Sequence, residues 1–319
     1  MAREPLTVAT ANVTSSKAET RRRILFGWVA LIAVYLLWGT TYNAIALGDR
    51  TMPPLLFAGA RFLVAGLILF PIAGRGRAPW RLPRRQWIAS LITGLLMLAG
   101  GNGLVAVAET RIPGGVAALL VATVPIWALL IDAAVNRTAI RPPAILAILL
   151  GLAGVVILVR PTPTLHLDLV GAGIVLVGGV FWAAGSVHSR GPNAPRNPFL
   201  AAAMQMLGAS VFLLLAGLIT GEAGQVHLDR IGWTGVLALA WLIVGGSLAG
   251  YSCFLIALRL LPLAVASTYA FVNPLIAVLI GFAFFGEPLN IQVGIAALCT
   301  VAAIAVLLTS RRGEARAGD

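Results

Sequence analysis

Charge is what this chain has least of. Only 11% of its 319 residues are Asp, Glu, Lys or Arg, against roughly 25% in an ordinary soluble domain. Hydrophobic residues make up 59% and the mean hydropathy is +0.95, so the expected solvent is lipid. Lysine occurs once, at Lys17, which leaves no Walker A lysine for an ATP-driven pump. The three histidines, at 166, 188 and 227, are scattered, and neither HExxH nor GxSxG occurs, so no metal, cofactor or enzyme chemistry is expected. Cys253 and Cys299 fall inside hydrophobic runs and read as small apolar packing residues. No polar stretch is long enough for a soluble module: residues 1–23 and 74–85 read as disordered tail and headgroup-contacting loop.

What is present is a series of ten apolar runs, near 25–48, 54–74, 86–108, 113–134, 142–159, 169–189, 198–219, 231–257, 263–285 and 290–309. Each approaches the ~20 residues a helix needs to cross a bilayer. They are too long and too uniformly apolar for barrel strands, whose two faces alternate. The first run is also too long for a signal-peptide core and is expected to be retained. The net charge of +12 reads as a topology signal, not a nucleic-acid surface. Alternate connections, counted from the N-terminus, hold 18 basic residues, while the others hold only Arg50, Arg111, Arg160 and Arg230. The positive-inside rule then places both termini and the basic loops in the cytoplasm, which requires an even number of spans.

The chain is made twice. TVPIWALLI at 123–131 and VNPLIAVLI at 272–280 sit 149 positions apart, an offset that also carries Pro113 onto Pro262, Ala108 onto Ala257 and Val116 onto Val265. An offset of 144 carries Trp38 onto Trp182 and Leu56, Ala58, Leu63 and Ala65 onto Leu200, Ala202, Leu207 and Ala209. Each half holds five runs, so the halves are expected to lie in opposite directions across the bilayer. Such inverted repeats point to a secondary transporter with its site where the halves meet. A channel would instead need a continuous polar stripe along several helices.

Three segments carry a family resemblance: WGT at 38–40, ARFLVAGLILF at 60–70 and NPLIAVLIGFAFFGEPL at 273–289. In their order and spacing they resemble the ten-helix, EamA-type members of the drug/metabolite transporter superfamily. The resemblance spans nearly the entire chain. It implies a bacterial inner-membrane exporter of amino acids or related metabolites, with two inverted five-helix halves around a central cavity. One departure is visible: Gly286, Glu287 and Pro288 end the ninth run, where the first half has Arg137, Thr138 and Ala139.

Candidate cavity residues follow from polarity and helical spacing. Tyr35, Trp38 and Tyr42 share one face of the first helix, and Trp182 and Ser186 are the repeat mates of Trp38 and Tyr42. Rings there suit a planar or cationic substrate, or else an interfacial aromatic belt. Asn43, Asn102, Gln205 and Asn273 are amides in mid-span, where an unpaired polar group is costly and turns toward the bundle interior. Interhelical packing bonds are the competing role. Asn102 lies in the GGNG at 100–103, its repeat mate is Tyr251, and Tyr269 shares a face with Asn273 just before Pro274.

Arg61 lies well inside a span, eight residues past Pro53, or roughly 12 Å of helix. It suits a substrate carboxylate or a structural, snorkelling role. Asp132 suits proton coupling or an ion pair with Arg137, and Glu109 with Arg111, like Asp49 with Arg50, suits an outer gate. Pro125 and Pro274 are repeat-related hinge or kink candidates. The fifth and tenth runs hold almost no polar side chains and are expected to face lipid or a second copy.

The expected fold class is an all-α membrane protein: ten transmembrane helices in two inverted five-helix repeats, 24–160 and 161–310, between cytoplasmic tails 1–23 and 311–319. The expected substrate-binding set is Trp38, Tyr42, Asn43, Asn102, Trp182, Tyr251, Tyr269 and Asn273. Arg61, Asp132 and Glu109 are assigned gating or charge roles, and Pro125 and Pro274 hinges. The expected activity is export by alternating access, with aromatic amino acids first because Trp and Tyr dominate the cavity set. Threonine, homoserine or planar cations are the alternatives. Expected partners are a small-molecule substrate and membrane lipid; a homodimer is compatible with the apolar outer helices, and no nucleic acid is expected.

Overall fold

The structure, a computed structural model, describes residues 5–48, 52–75, 82–112, 114–159, 168–226, 232–285 and 291–317. All regular structure among them is helical. Ten helices are long and apolar enough to cross a membrane: α1 Glu19–Thr41, α2 Pro54–Gly74, α3 Arg84–Glu109, α4 Val116–Asn136, α5 Pro142–Val159, α6 Leu169–His188, α7 Pro198–Ile219, α8 Trp233–Leu260, α9 Leu263–Ile280 and α10 Ile291–Thr309. The helix that carries α1 runs Pro5–Gly48. The N-terminal segment expected to be disordered is therefore an extension of that helix from Pro5 onward.

Local chemistry marks where helices begin. Asp168 caps α6, its carboxylate accepting from the backbone N–H groups of Val170 and Gly171 at 2.9 Å each. Asn197 caps α7 by accepting from Phe199 N–H at 3.0 Å. Pro198 and Pro54 open α7 and α2, in the first turn where a missing N–H costs nothing.

Four spans depart from a regular α-helix, and they do so in repeat-related pairs. α3 widens into a π-helical stretch over Leu95–Gly103 and α8 over Leu242–Tyr251. α4 is interrupted at 122–123, between Gly114–Val121 and Val124–Asn136. α9 is interrupted at 267–268, between Leu263–Ala266 and Tyr269–Phe285. Both interruptions hold a threonine whose hydroxyl turns back onto the carbonyl three residues earlier, Thr123 onto Leu120 and Thr268 onto Val265, each at 2.6 Å. Such side-chain bonds compete with the helical ladder. Neither proline occupies a break: Pro125 sits in the first turn after one, and Pro274 lies within the helical segment that follows the other.

Packing obeys the repeat. α2 packs along α7 and α5 along α10, each helix against its own mate. The contacts of α6 with α3 and α4 have counterparts in those of α1 with α8 and α9. The α2–α7 pair fixes the relative direction of the halves. Glu222, just beyond α7, accepts from Leu55 and Leu56 N–H at the start of α2, at 3.3 and 2.9 Å. Asn197, at the start of α7, donates from Nδ2 to Ala73 O near the end of α2 at 3.1 Å. The mates run antiparallel, so the repeats are inverted. α5 and α10 pack on each other where Gly154 meets Cys299 and Ala296, and about 28% of each span is buried, which leaves the rest of both facing outward.

Candidate functional site

Between the two halves lies a cavity of about 130 Å3 lined by residues of α1–α4, α6, α8 and α9. Its floor is an aromatic box. Trp38 and Trp182 meet edge to face with centroids 5.6 Å apart. Tyr269 stands edge-on to Trp38 at 5.1 Å, and Phe254 packs on Trp38 at 5.1 Å and on Trp182 at 5.7 Å. Tyr251 closes the far side of Trp182 at 6.4 Å. Offset and edge contacts of this kind are favoured by the ring quadrupoles and hold the rings in place.

The π-helical stretches bring the indoles in. Trp182 lies against Gly101 of α3 and Trp38 against Gly250 of α8, two glycines that are themselves repeat mates. A side chain at either position would occupy the space of the ring. The two indoles nevertheless differ. Trp38 Nε1 donates to Gly246 O at 2.9 Å, whereas Trp182 Nε1 is buried without a hydrogen-bond partner. Asn273 is 2% exposed, and its Oδ1 is likewise buried with no donor. The cavity thus has the Trp182 N–H as an unused donor and Asn273 Oδ1 as an unused acceptor beside its rings, and burying either alone is costly.

Charged side chains of both signs line the same space, Arg61 from α2 and Glu109 from the end of α3. The Arg61 guanidinium is buried and rests 4.4 Å from the centroid of Phe62. Ile45, Pro54 and Glu109 carry the cavity from the box toward the end of the bundle where Arg111 pairs with Asp168 at 2.9 Å. At the other end the helices are tied. Tyr35 OH meets Thr268 Oγ1 at 2.5 Å, and because the threonine proton goes to Val265 O, the phenol is the donor. Arg190 Nη1 donates to Leu261 O at 3.2 Å, and Arg259 donates to the carbonyls of Pro195 and Arg196.

Most of the sequence-derived set comes together here: Trp38, Asn102, Trp182, Tyr251, Tyr269 and Asn273, with Arg61 and Glu109, all line one cavity. Tyr42 and Asn43 lie on the α1 helix, but their side chains fall outside the described residues, as do Asp49, Arg50 and Gly286–Pro288. Tyr251 is 1% exposed and donates its hydroxyl to Gln205 Oε1 at 2.6 Å, so only its ring faces the cavity. Two charge pairings differ from expectation. Asp132 accepts from Asn136 one turn on, at 2.8 Å, in place of Arg137, and it is not among the cavity residues. Arg111 reaches past Glu109 to Asp168, because the Asp168 carboxylate already stands at the start of α6 beside it.

Two residues escaped sequence reasoning. Phe254 completes the box, and its position one turn beyond Tyr251 was the available signal. Glu222 lies in the connection after α7, yet it is 7% exposed and caps α2.

Comparison with known proteins agrees with this architecture. The sequence profile of the EamA-like transporter family matches twice, over residues 25–160 and 169–309. The "uncharacterized inner membrane transporter YedA" of Escherichia coli K12 is 38% identical over 269 residues, covering 83% of this chain and 84% of that protein. The threonine/homoserine exporter RhtA of Salmonella typhimurium LT2 is 26% identical over 293 residues, covering 89% and 93%. A solved crystal structure superposes with a TM-score of 0.76 at 22% identity, over 92% of this chain and 99% of that one, a likeness of fold. A duplicated, inverted ten-helix bundle with a polar and aromatic cavity between its halves, matched by that profile in both, identifies the chain as a multi-pass inner-membrane transporter of the EamA-like family within the drug/metabolite transporter superfamily.

Proposed function

We propose that this transporter exports amino acids and related small metabolites by alternating access, with aromatic amino acids as its first substrates. The observation that carries this reading is the coexistence in one cavity of opposite charges, Arg61 and Glu109, with an aromatic box. A zwitterion needs both signs: its carboxylate is drawn to the buried guanidinium, and its ammonium to Glu109 or to Asn273 Oδ1. The side chain then lies on Trp38 and Trp182, with Trp182 N–H left to donate to a substrate oxygen. Both termini face the cytoplasm in this reading, because the charge bias assigns the Arg22 and Arg190 end to the inside. The cavity then faces outward. Its tied inner end speaks for alternating access over an open channel.

Threonine or homoserine is the second reading, favoured by the relative of that name at 26% identity. Uptake of radiolabelled phenylalanine, tryptophan and threonine into proteoliposomes, with and without a pH gradient, separates the two. Saturable flux of the aromatic pair supports the first reading and saturable flux of threonine alone the second. No saturable flux of any of them overturns both.

A further inference from the structure

A second cavity lies away from the aromatic box, at the tied end of the bundle. It measures about 970 Å3 and is walled by the start of α1, the connection between α6 and α7, and the end of α8. Five arginines line it, Arg22, Arg23, Arg190, Arg196 and Arg259, against one carboxylate, Glu19. Two of the five have structural duties. Arg259 clamps the carbonyls of Pro195 and Arg196, and Arg190 holds Leu261 O, which keeps the α6–α7 connection folded over the groove. Arg22, Arg23 and Arg196 have no carboxylate within ion-pairing distance among the described residues.

The same groove is apolar on one side. Leu25, Phe26 and Val29 line it and are 63%, 54% and 55% exposed. They follow Arg22 at intervals of three, four and seven residues and so share its face of α1. Leu25 and Phe26 begin the hydrophobic part of the span, so this face runs from the arginines into the level of the acyl chains. Guanidinium groups match phosphate oxygens in a paired, forked geometry. Basic pockets between membrane helices at the cytoplasmic surface suit acidic lipid headgroups.

We propose that this groove binds an anionic phospholipid, its phosphodiester seated among Arg22, Arg23 and Arg196 and an acyl chain laid along Leu25, Phe26 and Val29. A free phosphate engages only the first half of this surface. The lipid engages both, and the pairing of the two halves on one helix face is what assigns it. The site is separate from the transport cavity and does not depend on which substrate is carried.

The test titrates full-length protein, purified in mild detergent, with phosphatidylglycerol, phosphatidylcholine, glycerophosphoglycerol or inorganic phosphate, reading bound lipid by native mass spectrometry and the shift in Tm. Phosphatidylglycerol is expected to bind and to raise Tm where phosphatidylcholine does not. Each of Arg22→Gln, Arg23→Gln and Arg196→Gln should weaken it by about fivefold, as expected for one basic residue near an anionic surface. Arg84→Gln and Arg85→Gln, each made singly, remove the same charge outside the groove and should leave binding within about twofold of wild type. Equal loss in these controls, or equal binding of the two lipids, overturns the proposal. Equal protection by inorganic phosphate or by the soluble headgroup assigns the groove to a free anion and overturns the lipid. Should a groove variant fail to purify, the remaining single variants give the same readout.

Discussion

The indole of Trp38 rests on Gly250 so closely that a Cβ at residue 250 would stand 2.5 Å from Nε1 and 2.8 Å from Cδ1. Its repeat mate Trp182 rests on Gly101 in the same way, where a Cβ would lie 2.9 Å from the six-membered ring. Gly250→Ala must therefore displace the ring and disturb the bond to Gly246 O. A loss of about 1–3 kcal/mol is expected, as for overpacked cores, read as a fall in Tm in detergent. Gly101→Ala should cost less, since Trp182 Nε1 has no bond to break. Equal stability of Gly250→Ala and wild type would remove the close approach as a structural requirement.

Replacing each tryptophan by phenylalanine separates the two indole N–H groups. Trp38→Phe removes a made hydrogen bond and should lower stability by about 1 kcal/mol, with little effect on substrate affinity. Trp182→Phe removes a donor that the protein leaves unused, so stability should hold while KM rises about fivefold in proteoliposome uptake, the worth of one neutral hydrogen bond. Unchanged KM in Trp182→Phe would withdraw the substrate contact.

Glu222→Ala should unfasten the start of α2. Its carboxylate receives two backbone N–H groups at a helix N-terminus and is almost fully buried, a setting in which a lost cap costs about 1–2 kcal/mol. Glu222→Gln keeps an acceptor and should retain part of that. Thermal unfolding of both variants, with Gln intermediate between Ala and wild type, is the expected order.

Asp168 gives the end of the bundle where α6 begins a dependence on acid. The Gly171 N–H bond, and then the Arg111 side-chain bond, hold its carboxyl below the ordinary value of 3.8. A depressed carboxyl contributes stability that is complete above its unfolded value and is lost as pH falls through the folded one. Acid titration of Tm below about pH 4 should therefore show a component that is absent in Asp168→Asn. At pH 7 the same variant should be only modestly less stable, because the pair stands at the surface, partly exposed to solvent, and an exposed ion pair is weak.

Hydrophobic run length and the placement of arginine were enough to read ten spans from the sequence, because lipid imposes one requirement on every spanning segment. The repeat offsets by themselves relate Trp38 to Trp182 and Asn102 to Tyr251. Helix interruptions were less visible. Pro125 and Pro274 are the hinge candidates visible in sequence; Pro125 sits in a first turn, where a proline is tolerated, Pro274 lies inside its helical segment, and the breaks themselves fall at Thr123 and Thr268, whose hydroxyls supply the alternative bond. The π-helical stretches were signalled only by clustered glycines, since a widened turn has no hydrophobic period of its own. Charge pairing was read worst. Arg111 and Glu222 take partners set by which helix ends meet in space, which sequence neighbours do not reveal, and Asp132 takes Asn136, one turn on in its own helix, over Arg137.

Two halves built from matched parts have a further consequence. At present the first-half indole is held by a backbone carbonyl and the second-half indole is not. Should the halves exchange conformations during transport, the assignment reverses: Trp38 would let go of Gly246, and Trp182 would find the carbonyl of Met97, the residue that stands to it as Gly246 stands to Trp38. The free donor would then move from one wall of the cavity to the other as the opening changes sides. A structure of the inward-facing form is the check on which indole is bonded there.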